Sequence, residues 1–279
     1  MPKISIVTAY YNRKLAFWRT LKTIEKSEFK DFELIVVDDA SDYDQRLEDF
    51  AAKFKFMKLI RIDPQNKKHI NPCIPLNMGF GKAQGEFVII QNPECMHMGD
   101  VLSFVANNSV ENQYLVFSCY SLGETTSNKL GSVDFNLPIV EIEPAVVNAI
   151  GGFSDRNCDG VSRYDSWYAH PIYRMAYFNF LTSITKQDLY DLGGFDERFA
   201  EGYAFDDTDF VSRIQKKGMD IKMIERPFCL HQYHASILAG IPDFRVKELR
   251  NKHLYEEATK SSNYKIKNSF WEIDCGQNT

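Results

Sequence analysis

Short apolar runs alternate with segments of helical periodicity along the first third of the chain. The apolar runs lie at residues 3–9, 32–39, 57–63 and 86–91. They are nearly continuous, which is typical of strands that are buried on both faces of a parallel sheet. The segments between them place apolar residues about one helical turn apart. Helices are therefore predicted for residues 13–27, for residues 44–54 and near residues 77–84.

The second half of the chain has a less regular pattern. Residues 122–180 are rich in Gly, Asn, Asp and aromatic residues, which indicates loops and a lid more than core elements. Thr185 can cap a short helix that Gly193 ends, and a second helix should run from Asp206 to Lys217. The remaining predictions are a helix at 99–108, strands at 113–120, 219–224 and 228–234, and a charged helix at 244–262.

This order of elements predicts an α/β fold with a Rossmann-like, mostly parallel sheet and helices on both faces. With 279 residues and 44% hydrophobic residues, the chain can form one large domain, or one domain and a smaller lobe. Ligands of such sheets bind at the carboxyl ends of the strands. Acidic and amide residues follow the second and fourth predicted strands, so a binding site is expected at that edge.

Charge and cysteine usage narrow the class of protein further. The net charge of −5 argues against nucleic acid as a partner, because duplex binding needs a concentrated basic surface. The six cysteines are irregularly spaced, which argues against a zinc ribbon and a dense disulfide framework. The chain begins without a recognisable secretory leader. A cytoplasmic location is expected, with peripheral contact to a membrane possible.

Five sequence pieces carry a family resemblance. They are ISIVTAYYNR, ELIVVDDAS, NMGFGKAQGEFVIIQNPE, GGFDERFAEGYAFDDTDF and LHQYH. Their types and order resemble glycosyltransferase family 2, whose members use nucleotide sugars and have the GT-A fold; the resemblance covers roughly residues 3–120 and 180–235. It implies a GT-A domain at 1–243, with a nucleotide-sugar-binding half at 1–120 and a smaller acceptor-binding lobe at 121–243. Residues 244–279 are then a C-terminal helical extension.

The resemblance implies a set of donor-binding residues at the strand ends. A tyrosine ring can stack on a base, and the carboxylate of Asp39 can accept hydrogen bonds from a uracil imide and a ribose hydroxyl. The implied nucleotide-sugar residues are Thr8, Tyr10, Asn12, Asp39, Asn77 and Asn92. The alternative is structural: Asn12 would cap a helix, and Asp38, Asp39 and Ser41 would form an Asx-type turn.

A metal site is implied where the fourth strand ends. The family has Asp-x-Asp there, whereas this chain has Asn92-Pro93-Glu94. By the resemblance, Glu94 would bind the ion, together with His231 or, as the alternative, His234. A carboxylate with an imidazole suits Mn²⁺ better than Mg²⁺, although Mg²⁺ stays open. A metal-independent enzyme and histidines that serve only in packing are the competing interpretations.

The acidic cluster at residues 206–209 is the sharpest of the five pieces. A sugar hydroxyl is a poor nucleophile, so a nearby carboxylate must take its proton. By the resemblance, Asp207 is this general base, and Asp196, Glu197 and Asp206 bind acceptor hydroxyls. The structural alternative is that the acids only cap the helix, which accounts for one or two of them.

The resulting hypothesis is an inverting glycosyltransferase that moves a sugar from a UDP-sugar to a hydroxyl of a glycan or glycolipid acceptor. One rival is a nucleotidyltransferase, but the first strand lacks the glycine-rich basic loop that would hold a triphosphate. The other rival is a non-catalytic homologue that binds carbohydrate or a nucleotide sugar. The altered Asp-x-Asp favours this second rival, and the intact acidic cluster argues against it.

Overall fold

A computed structural model describes residues 1–158, 164–235 and 240–268. Within these residues nine strands form one sheet, in the order β3-β2-β1-β4-β8-β6-β9-β5, with β7 added beside β6. The strands are β1 Ile4–Tyr10, β2 Phe32–Asp38, β3 Met57–Arg61, β4 Phe87–Gln91, β5 Cys95–Met98, β6 Gln113–Ser121, β7 Ser166–Ala169, β8 Leu181–Thr185 and β9 Asp220–His231. The predicted α/β fold is confirmed.

Helices cover the sheet and connect its strands. They are α1 Lys14–Glu25, α2 Glu48–Lys53, α3 Cys73–Lys82, α4 Val101–Asn108, α5 Glu124–Asn128, α6 Ile139–Ile150, α7 Lys186–Leu192, α8 Asp206–Lys217 and α9 Phe244–Thr259. Short 3-10 helices lie at Tyr43–Gln45, Pro64–Asn66, Lys129–Ser132 and Glu197–Phe199. The predicted caps of α7 are present, since Thr185 accepts a hydrogen bond from the backbone N–H of Asp188 and Gly193 is left-handed.

The first half of the sheet is parallel and the second half is mixed. Strand β1 pairs in parallel with β2 and β4, and β2 pairs in parallel with β3. Strand β8 then pairs antiparallel with both β4 and β6. The carboxyl ends of β1, β2 and β4 therefore meet at one edge, as the sequence predicted.

Two sequence predictions in the first half are corrected. Residues 44–54 do not form one helix, because a 3-10 turn at Tyr43–Gln45 precedes the short α2. The predicted turn after β4 contains a strand, since β5 runs antiparallel to the end of β9. Side chains of β5 are fully buried in that pairing, so this polar-looking stretch is part of the core.

The segment 122–180 contains more regular structure than predicted. Helix α6 lies within it and presents Ile142, Val146 and Ile150 at helical spacing. These residues form a third, smaller hydrophobic cluster with side chains of β5 and β9, including Met96 and Phe228. The prediction of loops is therefore wrong for this helix, because its apolar face fills space beneath the far edge of the sheet.

The C-terminal half of the chain adds β7, β8 and β9 to the sheet and ends in α9. The two predicted strands at 219–224 and 228–234 are one strand, β9, which pairs in parallel with β6 across a register shift between Phe117 and Cys119. The predicted tail helix is present as α9. No helix in the described part of the chain is both long and apolar enough to cross a bilayer.

Candidate active site

Tyr10 is buried at the end of β1 and does not face a ligand. Its ring is 0% exposed and packs on Phe17, with ring centroids 5.4 Å apart. Its hydroxyl donates to the backbone oxygen of Gln45 at 2.7 Å and accepts from the backbone N–H of Arg13 at 3.2 Å. The predicted stacking of Tyr10 on a base is therefore wrong, since burial leaves no open ring face.

The next residue, Tyr11, has the exposure that Tyr10 lacks. It is 38% exposed, and the ammonium of Lys67 lies 4.2 Å from its ring centroid. Burial raises the pKa of Tyr11, and the nearby carboxylates of Asp42 and Asp39 raise it further. An exposed ring beside Asp39 can stack on a planar ligand. Sequence reasoning missed it because β1 is buried on both faces. Its sequence therefore lacks the alternation of apolar and polar residues that would show which of the two adjacent tyrosines at its end is exposed.

Two further donor-site predictions, for Thr8 and Asn77, are corrected by burial. The hydroxyl of Thr8 is buried and has no hydrogen-bond partner among the described residues. Asn77 is fully buried; its amide donates to the Phe195 oxygen at 2.8 Å and to Glu197 at 2.9 Å, and its oxygen accepts from the Phe195 N–H. Asn77 therefore fixes the loop after α7 and is not available to a ligand.

Asp39 lies at the end of β2 in a charged setting. His69 Nε2 is 2.7 Å from one of its carboxylate oxygens, and Lys67 Nζ is 2.8 Å from the other. The neighbouring Asp38 has a structural role instead, since it pairs with Arg61 and accepts from the Ser41 N–H. The Asx-type turn proposed as an alternative thus forms around Asp38, which leaves Asp39 facing the polar loop after β3.

Asn12 and Asn92 shape the loops at the same edge. Asn12 has a left-handed backbone and exchanges two hydrogen bonds with Asp42, at 2.7 and 2.9 Å. Asn92 donates its N–H to the Phe180 oxygen, and its own oxygen accepts from the Cys95 N–H. The Asn92 backbone therefore links β4, β5 and the segment before β8, with its side chain half-buried.

The three predicted metal ligands lie together. Glu94 Oε1 is 3.2 Å from His231 Nε2 and 3.6 Å from His234 Nε2. One ligand atom from each residue lies within 4.8 Å of the others. His97 is elsewhere: it is fully buried, bonds to Gln91, and has a pKa lowered to about 4 by burial. The group formed by Glu94, His231 and His234 is called the Glu-His-His cluster below.

The donor set of the Glu-His-His cluster fits a divalent transition metal. Burial alone would raise the pKa of Glu94, but Arg13, His231 and His234 together hold it well below its ordinary value. Burial and Arg13 lower the pKa of His234, which favours the neutral imidazole that binds metals. Moreover, His231 Nδ1 is buried without a partner among the described residues. One carboxylate and two imidazoles are suitable ligands for Mn²⁺.

The acids at the start of α8 have different partners. Asp209 pairs with Arg213 at 2.7 Å, and both are buried, so this pair is structural. Asp206 accepts a hydrogen bond from Asn71 at 2.7 Å, and Asp207 accepts one from Asn179 at 2.7 Å. Burial and the charge of Asp206 raise the pKa of Asp207 to about 7. A carboxylate with such a pKa is suited to act as a general base near neutral pH.

Asp196 and Glu197 lie on the loop after α7. Asp196 caps the short 3-10 helix and holds Arg198 through both carboxylate oxygens, with its side chain 4% exposed. These contacts give Asp196 a structural role, and its role as an acceptor ligand stays a prediction. Glu197 is half-buried and bonds to Asn77. Both acids line a cleft of about 710 Å³ that also includes Lys68.

Asn179 and Phe180 connect Asp207 to the Glu-His-His cluster. The side chain of Asn179 donates to Asp207. The ring of Phe180 packs edge-on against His231, with centroids 5.4 Å apart, and its backbone oxygen holds Asn92. Two adjacent residues therefore contact Asp207 at one side and the predicted metal ligands at the other. Sequence reasoning missed both, because their partners lie far away along the chain.

Comparisons with known proteins support the family resemblance and the fold. Residues 5–137 match the family model of glycosyl transferase family 2, and residues 165–235 match that of the N-terminal domain of galactosyltransferase. The chain is similar to the GalNAc(5)-diNAcBac-PP-undecaprenol beta-1,3-glucosyltransferase of Campylobacter jejuni, at 29% identity over 123 residues. That match covers 42% of this chain and 38% of the relative, so the chain spans well under half of the relative's length.

Solved structures share the fold. TarS 1–349 of S. aureus in complex with UDP has a TM-score of 0.53 and 16% identity, over 83% of this chain and 60% of that one. A longer TarS structure has a TM-score of 0.51 and 17% identity, over 83% and 37% of the two chains. The match to the glycosyl transferase family 2 model and the similarity to a glucosyltransferase identify a glycosyltransferase, and the shared fold is that of the GT-A class. Residues 5–137, just under half of the chain, match glycosyl transferase family 2, in agreement with the resemblance that the motifs predicted.

Proposed function

We propose that the protein is an inverting glycosyltransferase that transfers a sugar from a UDP-sugar to a hydroxyl group of a glycan or glycolipid acceptor. The observation that carries the proposal is the link through Asn179 and Phe180. This link supports a site in which a general base and a metal-binding cluster act together on one donor and one acceptor. A non-catalytic binding protein would not need a buried acid with a pKa of about 7.

In this proposal the donor lies across the carboxyl ends of β1, β2 and β4. The exposed ring of Tyr11 stacks on the base, and Asp39, held by His69 and Lys67, accepts hydrogen bonds from the base and ribose. Asn12 and Asn92 line the ribose side. UDP is the proposed nucleotide by family resemblance, and the related TarS structure was solved with UDP.

The acceptor hydroxyl is deprotonated by Asp207 while it attacks the anomeric carbon from the face opposite the diphosphate. Asn179 orients the carboxylate for this step, and Asp206 holds the acceptor. The Glu-His-His cluster would hold Mn²⁺ or Mg²⁺, and such an ion, when bound, offsets the charge of the departing diphosphate. Fixing both substrates in one orientation supplies much of the rate.

The acceptor class is proposed from the curated relative. That protein is named for an acceptor linked through a diphosphate to undecaprenol. A lipid-linked glycan is therefore a reasonable acceptor to test, alongside free glycans. Peripheral contact with a membrane would follow from a lipid-linked acceptor.

The test is a screen of nucleotide sugars by thermal shift with Mn²⁺, followed by a UDP-release assay with and without acceptor. Stabilisation should follow donor affinity by mass action. Asp207→Asn should lower transfer by about 10³-fold while donor stabilisation is kept, since general-base catalysis contributes about 10²–10⁴-fold. Asp209→Asn is the matched control, and it should lower Tm, because it removes the counter-charge of the buried Arg213.

Two outcomes would contradict the proposal. Loss of donor binding in Asp207→Asn would argue against its role as the base. Sugar binding without turnover, for every donor and acceptor tried, would favour the non-catalytic homologue.

A further inference from the structure

The carboxylate of Glu94 has two sides with different partners. Oε1 faces the imidazoles of His231 and His234. Oε2 is 2.7 Å from the guanidinium of Arg13. The side chain of Glu94 is 2% exposed, so the two sets of contacts make up nearly all of its polar environment. The single negative charge of the carboxylate is shared by the oxygen that faces the histidines and the oxygen that faces Arg13.

We propose that Arg13 is a resident counter-cation of the Glu-His-His cluster, which compensates Glu94 when no ion is bound and lowers the affinity of the cluster for a divalent ion. The inference rests on the proposed metal-binding role of Glu94. It assigns to Arg13 a positioning and affinity-setting role.

The first reason is the burial of Glu94. An ionised carboxylate that is buried without a counter-charge is strongly unfavourable, and removing one partner of a buried pair is destabilising. Arg13 supplies a permanent positive charge, whereas the two histidines are charged only when protonated. The metal-free chain can therefore keep Glu94 ionised and in position.

The second reason is the placement of Arg13. Its backbone N–H donates to the buried hydroxyl of Tyr10, which anchors this residue directly before α1. Its side chain is 21% exposed, so the guanidinium bridges the buried carboxylate and the open edge of the sheet. A divalent ion at Oε1 would share its carboxylate with this cation, and the like charges repel each other.

The experiment measures Mn²⁺ binding directly, by the electron paramagnetic resonance signal of free Mn²⁺, in the full chain. Arg13→Gln should bind Mn²⁺ about tenfold more tightly than wild type, as expected when a partly screened like charge is removed. Arg13→Lys, which keeps the charge, should stay near wild type. Lys14→Gln removes the same charge one residue away, where Lys14 pairs with Asp49, and should have no effect.

Thermal unfolding provides the second readout. Metal-free Arg13→Gln should have a lower Tm than wild type, and Mn²⁺ should raise its Tm by more than it raises that of wild type. Arg13→Met, which keeps the apolar stem, should behave in the same way. If neither neutral variant folds without metal, folding that is restored by Mn²⁺ supports the inference, and folding that Mn²⁺ does not restore contradicts it.

The outcomes separate this inference from the proposed function. Unchanged or weaker Mn²⁺ binding in Arg13→Gln, with binding abolished in Glu94→Gln, would overturn only the role of Arg13. Mn²⁺ binding that survives Glu94→Gln would overturn the metal site itself. The strongest support would be Mn²⁺ binding that is absent in wild type and present in Arg13→Gln.

Discussion

At the scale of single residues, the three acids that begin α8 differ in what each carboxylate contacts. Asp209 has the guanidinium of Arg213, whereas Asp206 and Asp207 accept hydrogen bonds from the amides of Asn71 and Asn179. An amide donor stabilises a carboxylate less than a cation does, so burial dominates at Asp207 and raises its pKa to about 7. Identical side chains thus acquire different chemistry from their neighbours.

The raised pKa of Asp207 predicts how activity and stability depend on pH. The transfer rate should rise as pH increases through about 7, because the base must be ionised. In the unfolded chain the pKa of an aspartate is about 4. The folded state therefore binds this proton more tightly, and the resulting stability is fully present below about pH 4 and is lost as pH rises through about 7.

The stability side of this prediction is tested with Asp207→Asn, which carries no charge. The Tm of the variant minus the Tm of wild type should be larger at pH 8 than at pH 5, as measured by thermal unfolding in matched buffers. An equal difference at both pH values would contradict the raised pKa. Glu111→Gln, at an exposed acid in the turn before β6, changes the net charge in the same direction and controls for a general effect of charge.

The adjacent tyrosines give the second prediction at this scale. Tyr11→Ala should weaken UDP binding about tenfold or more, because base stacking on an aromatic ring contributes about 1–3 kcal/mol. Tyr10→Phe should leave UDP binding unchanged and lower stability by about 1 kcal/mol, since it removes the hydrogen bond to Gln45. Isothermal titration with UDP measures binding, and thermal unfolding measures stability. If Tyr10→Phe weakened UDP binding and Tyr11→Ala did not, Tyr10 would be the ligand.

Residue types and positions were enough to predict part of the site, because few side chains can act as bases or metal ligands. The structure brings Glu94, His231 and His234 together, although their role stays a prediction. The missed residues, among them Arg13 and Asn179, are unremarkable in sequence. They matter only through contacts with partners far along the chain, and these contacts exist only in the folded protein.

At the scale of elements, helix α9 supports the loop that precedes α8. Asn251 is fully buried and donates to the backbone oxygens of Phe199 and Ala204. Gly202 lies against it so closely that an added Cβ would be 1.9 Å from Asn251 Oδ1. The sequence predicted this helix, but its charged pattern gave no sign that one asparagine is buried against the loop that precedes α8.

Gly202→Ala should therefore loosen the loop from α9. We expect a loss of stability of about 1–3 kcal/mol, as for other changes that disturb a buried polar group, and a raised KM for acceptor with donor binding kept. Gly131→Ala is the matched control, because its Cβ would meet nothing within 4 Å. Equal stability of the two variants in denaturant titration would show that the Asn251 contact does not hold the loop.

Element boundaries were least predictable where tertiary contacts decide them. Strand β9 reads as two pieces in sequence because polar residues interrupt its apolar pattern, yet pairing with β6 makes it continuous. Helix α6 was missed because Pro144 lies inside it and two glycines, Gly151 and Gly152, follow it directly. In contrast, β1, β2 and β4 are nearly continuous apolar runs, so the local sequence pattern alone predicts their positions.

At the scale of the whole molecule, the two proposed halves share one sheet. Strand β4 lies between β1 and β8, and β5 of the first half pairs with β9 of the second. Trp18 of α1 also packs edge-on against Phe135 of the second half, with ring centroids 6.1 Å apart. The division at residue 120 stays a prediction about roles, since strands of the two halves alternate within one sheet.

Because the halves share strand pairs and core, we expect the chain to unfold in one cooperative transition. Tryptophan fluorescence, to which Trp18 and Trp167 contribute, should give the same midpoint in denaturant as far-UV circular dichroism. UDP with Mn²⁺ should raise both midpoints equally, although the proposed donor residues lie in the first half. Two separated midpoints, or a ligand shift seen by only one probe, would show that the halves are independent. In that case the link through Asn179 and Phe180 could not couple the base to the Glu-His-His cluster.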